Sequence, residues 1–274
     1  MASTPPSIGK TFRALHEAKD AFIIPNPWDV GTARILAGLG FSALATTSAG
    51  LSFSRGVREG QVTRAQALDH CREIVGATPL PVSADLEKGF GDSPDEVAET
   101  IRAAAETGLA GCSIEDHTGR GDDPIFAFGH AVERIEGAVE AARALPEDFV
   151  LTARAENFLW GRPDLDDTIK RLQAFEAAGA DVLYAPGLRD LATIREVCGA
   201  LERPVNVVMG LPGATFGLAE LAEAGVKRVS VGSALARLAF GAVIEAAKEM
   251  AGAGSFTYSD RAAGFAEIEG YFKA

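Results

Sequence analysis

Two apolar runs of the sequence end in acidic side chains, a pattern suited to holding a cation. The run PVSADLEKGFGD contains Asp85 and Glu87 two residues apart, and the run SIEDHTG contains Glu115 beside Asp116. Residues i and i+2 of a strand point to the same side, so Asp85 and Glu87 can share one focus. Carboxylates packed this closely repel one another unless one is protonated or a cation bridges them. Oxygen-only ligands suit Mg²⁺ or Mn²⁺ rather than zinc, so the pattern predicts such a metal site.

Arginine is the residue type that would bind a substrate carboxylate opposite such a metal. The stretch TARAENF contains Arg154 and Glu156, again two residues apart, and a guanidinium can bind a carboxylate through two parallel hydrogen bonds. Both predictions have a structural alternative. A lone arginine is equally typical of an ion pair with a neighbouring acid, and the acids would then form salt bridges to Lys88, Arg102 or Arg120.

The elements that must position these residues are short β-branched runs alternating with longer, alanine-rich amphipathic runs. The strand candidates are residues 21–25, 42–48, 81–86, 111–116, 149–156, 181–187, 204–209 and 228–233. The runs between them have apolar residues at helical spacing, and several close on a glycine, namely Gly40, Gly108, Gly179 and Gly225. This βα repeat predicts a (β/α)8 TIM barrel. A doubly wound sheet is disfavoured because no G-x-G-x-x-G run follows the first strand.

A barrel brings the acids together, since all of its parallel strands end at the face that carries active sites. Strands three, four and five then deliver Asp85, Glu115 and Arg154 to one mouth. The stretch TTSAGLS after strand two offers small residues whose backbone N–H groups can approach an anion, although Ser-Ala-Gly is also an ordinary turn. No linker divides the sequence, so we expect a single barrel domain over 1–274 with a helical extension from about 234–274.

Composition restricts the classes of partner. The 274 residues carry a formal net charge of −12 without a basic cluster, which excludes nucleic acid. An anionic substrate must therefore be attracted by a local metal or arginine. Widely spaced Cys71, Cys112 and Cys198 form neither a disulfide framework nor a metal-type spacing. An apolar leader and a membrane-length apolar stretch are both missing, so we expect a cytoplasmic protein without membrane contact.

In combination, these motifs resemble the isocitrate lyase/phosphoenolpyruvate mutase superfamily over most of the chain. The landmarks are SAGLS (48–52), GVREG (56–60), ADLEKGFG (84–91), SIED (113–116), TARAE (152–156) and VGS (231–233). Asp85, Glu87, Gly89 and Gly91 match the D-x-D-x-G-x-G run of that family, and Glu115 begins its E-D pair. The resemblance implies a Mg²⁺-dependent enzyme, with Mn²⁺ as a substitute, that acts on small 2-oxo or 2-hydroxy acids.

The resemblance also implies roles for individual residues. Asp85 would contact the metal directly, and Glu87 and Glu115 would hold its water ligands. The substrate carboxylate would bind to Arg154 and to the residues that open the SAGLS run, which are Ser48, Ala49 and Gly50. Glu59 stands where relatives often have an aspartate. Trp28, at the end of strand one, and Tyr184, on strand six, are further candidates to line the mouth, together with Asp29 unless it simply caps the next helix.

The sequence departs from the family pattern at its catalytic loop. The lyase branches carry a cysteine in a lysine-rich loop after strand four, whereas this chain reads HTGRGDDPIFAFGH there, and Cys112 falls within the strand, where it suits core packing. The mutase pattern has a lysine after Glu-Asp, where this chain has His117, and a histidine after strand six, where it has Ala-Pro-Gly. His117 is therefore a candidate general acid or base, or else a solvated turn residue. His130, Phe126 and Phe128 could form a lid or plain helix packing.

The leading prediction is a carbon–carbon lyase that cleaves a short 2-hydroxy or 2-oxo di- or tricarboxylate through an enolate-like intermediate and releases a 2-oxo acid. The alternatives are decarboxylation or hydrolysis, as with oxaloacetate or phosphonopyruvate, and non-catalytic binding of a 2-oxo acid. Family barrels pair by swapping the helix after strand eight, which implies a homodimer or homotetramer.

Overall fold

The structure, a computed structural model, describes residues 7–272 and contains one sheet of eight parallel strands. The strands are β1 (Phe22–Ile24), β2 (Leu44–Ala45), β3 (Val82–Asp85), β4 (Gly111–Glu115), β5 (Val150–Arg154), β6 (Val182–Tyr184), β7 (Val205–Val208) and β8 (Arg228–Ser230). They follow one another in the order β1-β8-β7-β6-β5-β4-β3-β2. The Ala45 N–H donates to the carbonyl of Pro25 at 3.0 Å, which links β2 to the chain leaving β1 and nearly closes the sheet. The predicted (β/α)8 barrel is confirmed.

Helices alternate with these strands around the outside of the barrel. They are α1 (Ile8–Glu17), α2 (Val30–Gly38), α3 (Ser48–Ser54), α4 (Arg64–Gly76), α5 (Pro94–Ala105), α6 (Phe128–Arg143), α7 (Leu165–Ala177), α8 (Leu191–Gly199), α9 (Leu218–Glu223), α10 (Ala234–Gly252) and α11 (Phe265–Gly270). A 3₁₀ turn at Thr257–Arg261 joins the last two. The sequence pattern located most of these helices, but α3 replaces the turn considered for Ser-Ala-Gly.

Local signals explain where the helices begin and end. Ser93 caps α5: its hydroxyl oxygen accepts a hydrogen bond from the backbone N–H of Glu96, and the Glu96 carboxylate accepts one from the backbone N–H of Ser93. Asp29 caps α2 in the same way with Thr32, so capping is the role of Asp29 that the structure shows. The four glycines predicted to close helices all adopt positive φ angles, the conformation that side chains with a Cβ rarely adopt.

The amino-terminal end of the barrel is closed by α1, which the sequence pattern did not reveal. Phe12 on this helix is fully buried and packs with Ile24, Ala43, Ala110, Val150 and Val182, residues of the barrel or its immediate flanks. Arg13 fixes the helix by ion pairs of 3.0 Å to Asp148 and 2.8 Å to Asp181. The signal was present as apolar residues at positions 8, 12 and 15, but it spans too few residues to stand out.

The carboxy-terminal extension leaves an apolar surface. Ala236 is the one buried residue of α10, whereas Leu238, Val243 and Ile244 expose 71%, 64% and 52% of their surface. Large apolar side chains exposed to this extent on one helix are found at interaction surfaces. Within residues 7–272, none of the helices combines the length and the hydropathy that crossing a bilayer would need.

Candidate active site

The guanidinium of Arg154 is the centre of a cluster at the carboxyl ends of β3, β4 and β5. Its Nη1 lies 2.9 Å from Asp85 Oδ1, and its Nη2 lies 3.1 Å from Glu115 Oε2 and 2.8 Å from Glu156 Oε1. Strand register places Glu115 directly beside Arg154, and Asp85 stands one strand further along. The structure thus brings together the residues that the sequence placed at one mouth. Glu156 follows the last residue of β5 by two positions.

Ser48, in the first turn of α3, contacts the carboxyl groups of both Glu59 and Asp85. Ser48 Oγ lies 2.8 Å from Glu59 Oε1 and 2.9 Å from Asp85 Oδ2, and its backbone N–H donates to the same Asp85 oxygen at 3.2 Å. A hydroxyl has one proton to donate, so its contact with the second carboxyl is satisfied when that carboxyl is protonated. Burial raises the pKa of Glu59, with Asp85 and Glu115 adding repulsion, and this favours the proton on Glu59.

Glu87 completes the acidic cluster from a strained backbone position. Its φ angle is +51°, and Phe90 in the same loop has a φ of +59°, values in the left-handed region that glycine adopts most easily. Burial raises the pKa of Glu87 to about 8, and repulsion from Asp85, Glu115 and Glu59 adds to that shift. The cluster therefore contains several carboxyl groups and one guanidinium, that of Arg154. An additional positive charge would stabilise the ionised form of these carboxyl groups.

The carboxylates of this cluster match the ligand preference of a divalent cation in part. The side-chain donors of the cluster are carboxylate oxygens, and its excess negative charge suits a hard ion such as Mg²⁺. Among the described residues, no three acidic, histidine or cysteine side chains already stand together as a metal-binding group, because Arg154 occupies the position between Asp85 and Glu115. The residues fit the ion by chemistry and charge, whereas the ion pairs with Arg154 are the contacts that the structure shows.

The raised pKa of Glu87 predicts a pH-dependent stability of the metal-free protein. The folded chain holds a proton up to about pH 8 that the unfolded chain releases near pH 4.5, so this contribution is complete below pH 4.5 and lost as the pH rises through about 8. In EDTA we expect Tm to fall by roughly 5 °C between pH 5 and pH 8, measured by calorimetry. The Glu87→Gln variant should show a shallower slope, and an unchanged slope would contradict this assignment.

A cavity of about 190 Å³ opens at this cluster and continues into the barrel. Ser48, Ala49, Glu59, Asp85 and Arg154 line its mouth. Tyr184, which is buried, also lines the cavity, and its ring centroid lies 5.0 Å from the Arg154 guanidinium carbon. Burial raises the pKa of the Tyr184 hydroxyl to about 12, so this group remains protonated, and its hydrogen bond with Ser230 offsets part of the rise.

Two of the predicted binding residues lie behind the mouth. The Gly50 N–H donates to the Thr47 hydroxyl at 3.2 Å and so caps α3. A Cβ on Gly50 would stand 2.9 Å from Trp28 Cβ, which explains why glycine is needed where α3 packs against Trp28. Neither Gly50 nor Trp28 lines the cavity, and their roles in substrate binding stay predictions.

His117 lies at the rim, beside Glu115. Its Nδ1 is 3.6 Å from Glu115 Oε1, and its ring stacks on Trp160 with 3.7 Å between centroids. Trp160 exposes 44% of its surface, so the stack lies at the surface of the protein. His130 instead hydrogen-bonds to the carbonyl of Asp92 at 2.8 Å, and Phe126 is buried beneath Arg134. Of the two roles considered for the 126–130 segment, the structure favours helix packing.

Asp116, beside Glu115 in sequence, faces away from Arg154. Its Oδ2 accepts from Arg171 at 3.1 Å, and its Oδ1 accepts from the backbone N–H of Glu156 at 2.8 Å. This follows from strand alternation, which turns i and i+1 to opposite faces. Asp116 thereby holds the chain after β5 in place behind the site. The predicted core role of Cys112 is confirmed, because it is fully buried in the hydrophobic core.

Arg134 on α6 is a site-forming residue that sequence reasoning missed. It is fully buried and donates to the carbonyls of Asp92 at 3.1 Å, Glu115 at 3.0 Å and Gly91 at 3.2 Å, and also to that of Lys88. It therefore ties the loop after β3 to the end of β4. Nothing in the sequence distinguishes it from other arginines on helices.

Replacing Arg134 by methionine should leave these buried carbonyls without donors. We expect the free energy of unfolding to fall by roughly 2–4 kcal/mol, measured by urea denaturation. Arg102, exposed in the last turn of α5, provides the matched control, since Arg102→Met should change stability by less than about 0.5 kcal/mol. Equal effects of the two substitutions would refute this role of Arg134.

Comparison with known proteins identifies the family that shares this arrangement. A family model described as phosphoenolpyruvate phosphomutase matches residues 12–251, which is most of the chain. The chain belongs to the isocitrate lyase/phosphoenolpyruvate mutase superfamily. Enzymes of this superfamily are generally dependent on a divalent metal.

Individual members of the superfamily resemble the chain over most of its length. The 2-methylisocitrate lyase of Escherichia coli K12 is 31% identical over 217 residues, covering 76% of this chain and 72% of its own. An oxaloacetate decarboxylase of Ectopseudomonas mendocina is 28% identical over 255 residues, covering 88% and 84%. A crystal structure from Burkholderia cenocepacia J2315, described only as a lyase/mutase, superposes with a TM-score of 0.94 at 59% identity, covering 97% and 96%.

Proposed function

We propose that the protein is a Mg²⁺-dependent carbon–carbon lyase acting on a short 2-hydroxy or 2-oxo dicarboxylate or tricarboxylate. The observation that carries this proposal is the contact of one guanidinium, that of Arg154, with Asp85, Glu115 and Glu156 at the mouth of a cavity. Such a mouth offers positive charge to a substrate carboxylate and acidic oxygens to a metal. The membership of 2-methylisocitrate lyase in the same superfamily supports the reaction class.

Each residue of the mouth has a task in this proposal. Arg154 binds the carboxylate of the 2-oxo acid unit and stabilises the negative charge that develops on it. Ser48, held by Asp85 and Glu59, orients that carboxylate from the opposite side. Asp85 would hold the metal, with Glu87 and Glu115 on its water ligands, and the metal would supply Lewis-acid stabilisation of the enolate-like product.

When the carbon–carbon bond of a 2-hydroxy acid breaks, the hydroxyl proton passes to a base and the electron pair of the bond remains on the enolate-like fragment. The carbon of this fragment must then be protonated, and His117 is the residue we assign to this step. It stands beside Glu115 with 3.6 Å between its Nδ1 and Glu115 Oε1, whereas burial raises the pKa of Cys71 to about 12 and that of Cys198 to about 11. His117→Gln should lower kcat about 10²-fold with little change in KM, because a proton donor acts in the chemical step. His130→Gln is the matched control and should retain wild-type kcat. A His117→Gln variant with full kcat would remove His117 from the mechanism.

Decarboxylation is the second candidate reaction, favoured by the cysteine-free loop after β4 and by the similarity to an oxaloacetate decarboxylase. A screen of 2-oxo and 2-hydroxy acids with Mg²⁺ separates the two by their products. Lysis yields two organic fragments, whereas decarboxylation yields CO₂ and one shorter 2-oxo acid. If no acid is turned over although Mg²⁺ and 2-oxo acids bind, the protein is a binder and the lyase proposal fails.

We further propose that the protein forms homodimers, or pairs of dimers, through α10. Its exposed Leu238, Val243 and Ile244 would be covered by a second copy, as the superfamily resemblance implies. Sedimentation of the wild-type chain and of Leu238→Glu tests this, since a charge on that face should disfavour association.

A further inference from the structure

The interior of the barrel is lined by small polar side chains, where barrels of this type usually carry bulky branched ones. The cavity that opens at Arg154 extends past Ser83, Ser113, Asn206 and Ser230 to Arg228. Ser83 lies two residues before Asp85 on β3, and Ser113 lies two residues before Glu115 on β4. The small side chains therefore stand one step deeper on the same inward face, and they leave the shaft open.

Arg228, the first residue of β8, is a buried cation at the deep end of this cavity. It exposes 5% of its surface. Its Nε donates to Asn206 Oδ1 at 2.8 Å, its Nη2 to Thr152 Oγ1 at 2.9 Å, and its Nη1 lies 3.2 Å from His16 Nε2. Burial lowers the pKa of His16 to about 3, so the ring is neutral, and its Nδ1 donates to the carbonyl of Phe12 at 2.9 Å. All three partners are neutral.

Arg228 differs in this from Arg154 and Arg171, whereas buried Arg134 resembles it in donating to neutral partners, the backbone carbonyls of Asp92, Glu115 and Gly91. Arg154 and Arg171 each pair with carboxylates at 3.1 Å or less, whereas within residues 7–272 Arg228 forms no salt bridge. Burial lowers the pKa of Arg228 to about 10, which leaves it charged at neutral pH. A buried charge is costly unless an opposite charge accompanies it, and a guanidinium has N–H donors beyond those already used here.

We propose that the barrel interior is an anion-binding site in which Arg228 binds one small carboxylate, with Ser83 and Ser113 as hydroxyl partners. Thr152, which accepts from Arg228, lies two residues before Arg154 on the inward face of β5, a step of about 7 Å along the strand, so the contact of Arg228 lies deeper in the barrel than the backbone of Arg154. The ligand is accordingly either a free anion of the size of formate or acetate, or the far carboxylate of a short diacid whose near end lies at Arg154.

Thermal unfolding tests the site without any need for turnover, so its outcome is separate from that of the proposed lyase reaction. Sodium formate would replace sodium HEPES at constant pH and ionic strength. At concentrations far above its Kd, formate should raise the Tm of the wild-type chain by roughly 5–10 °C. Arg228→Met should lose most of this shift. Both proteins retain Arg154, so any rise in Tm caused by formate binding at the mouth is the same in the two and does not affect the comparison.

A second variant separates binding from folding. Ser83→Val keeps Arg228 but fills the shaft, and within residues 7–272 the Ser83 hydroxyl makes no hydrogen bond that valine would break. Loss of the formate shift in Ser83→Val, with the fold retained, supports the interior site even where Arg228→Met fails to fold. The proposal is overturned if formate leaves the wild-type Tm unchanged, or if both variants keep the full shift.

The source of the carboxylate follows from competition with the substrate found by the acid screen. If formate raises KM and Arg228→Met does the same, the far carboxylate of the substrate occupies the site. If formate stabilises the protein without altering KM, the site holds a free anion. Both results uphold the site. In crystals grown with bromide, an anomalous peak in contact with the Arg228 guanidinium would confirm its position, and peaks only elsewhere would refute it.

Discussion

Replacing Arg154 by methionine is expected to lower kcat/KM about 10³-fold or more, the largest effect we predict for a single residue. Its guanidinium contacts Asp85, Glu115 and Glu156 within 3.1 Å and is the cation at the mouth of the cavity. Its removal takes away the positive charge that a substrate carboxylate would meet. It also leaves Glu156, whose pKa burial already raises to about 8, without its ion pair.

The Arg154→Lys variant distinguishes charge from geometry. Lysine keeps the charge but cannot form the forked contacts to two carboxylates, so we expect a loss of about 10²-fold. Steady-state kinetics with the acid found in the screen measures both variants, and circular dichroism checks their folding. Arg143→Met serves as the matched control, because Arg143 is half-exposed and pairs with Asp181 outside the site. If both Arg154 variants stay within tenfold of wild type, the assigned role is wrong.

Removal of divalent metal is expected to lower activity at least about 10²-fold, with recovery on addition of Mg²⁺ or Mn²⁺. The acidic cluster around Asp85 and Glu87 carries more negative charge than Arg154 neutralises; burial raises the pKa of Glu87 to about 8, and repulsion from the neighbouring acids adds to that rise. Mg²⁺ should therefore raise Tm, and more strongly at pH 8 than at pH 6, because at the lower pH it must displace a proton from Glu87.

Asp85→Asn isolates the proposed direct ligand. We expect it to abolish the Mg²⁺-dependent rise in Tm and to reduce kcat about 10²–10³-fold. Asp92→Asn is the control in the same loop: Asp92 pairs with Lys88 and Arg120 and does not line the cavity, so its variant should retain the Mg²⁺ response. Turnover that persists after complete removal of metal would contradict the roles of Asp85, Glu87 and Glu115.

Local sequence patterns predict much of the architecture. Alternating β-branched and amphipathic runs, with capping residues such as Ser93 and glycines such as Gly179, identify strands and helices by short-range rules. The barrel follows because parallel strands joined by helices have few ways to bury both faces. The convergence of Asp85, Glu115 and Arg154 then follows from topology, since all strands of a barrel end at one face.

The contacts made by buried charged residues could not be read from the sequence. Arg134 and Arg228 look like ordinary surface arginines, yet one holds the loop after β3 by backbone carbonyls and the other points into the barrel interior. Likewise, Asp85 and Glu115 form ion pairs with Arg154 in the structure, and not with Lys88, Arg102 or Arg120, which were the partners considered from the sequence. Contacts between residues that are far apart along the chain produce no periodic pattern in the sequence from which they could be predicted.

The sequence by itself therefore determined the kind of fold and the acids and arginine that meet at the mouth, because strand order and side-chain alternation are consequences of local pattern. It also indicated the superfamily, through the resemblance of its motifs. Only the tertiary structure decided which charges pair, which amide of the α3 turn is already used and how deep the cavity runs. Those features depend on distances between residues that are remote in sequence, and burial changes the energy of each charge by an amount that composition cannot reveal.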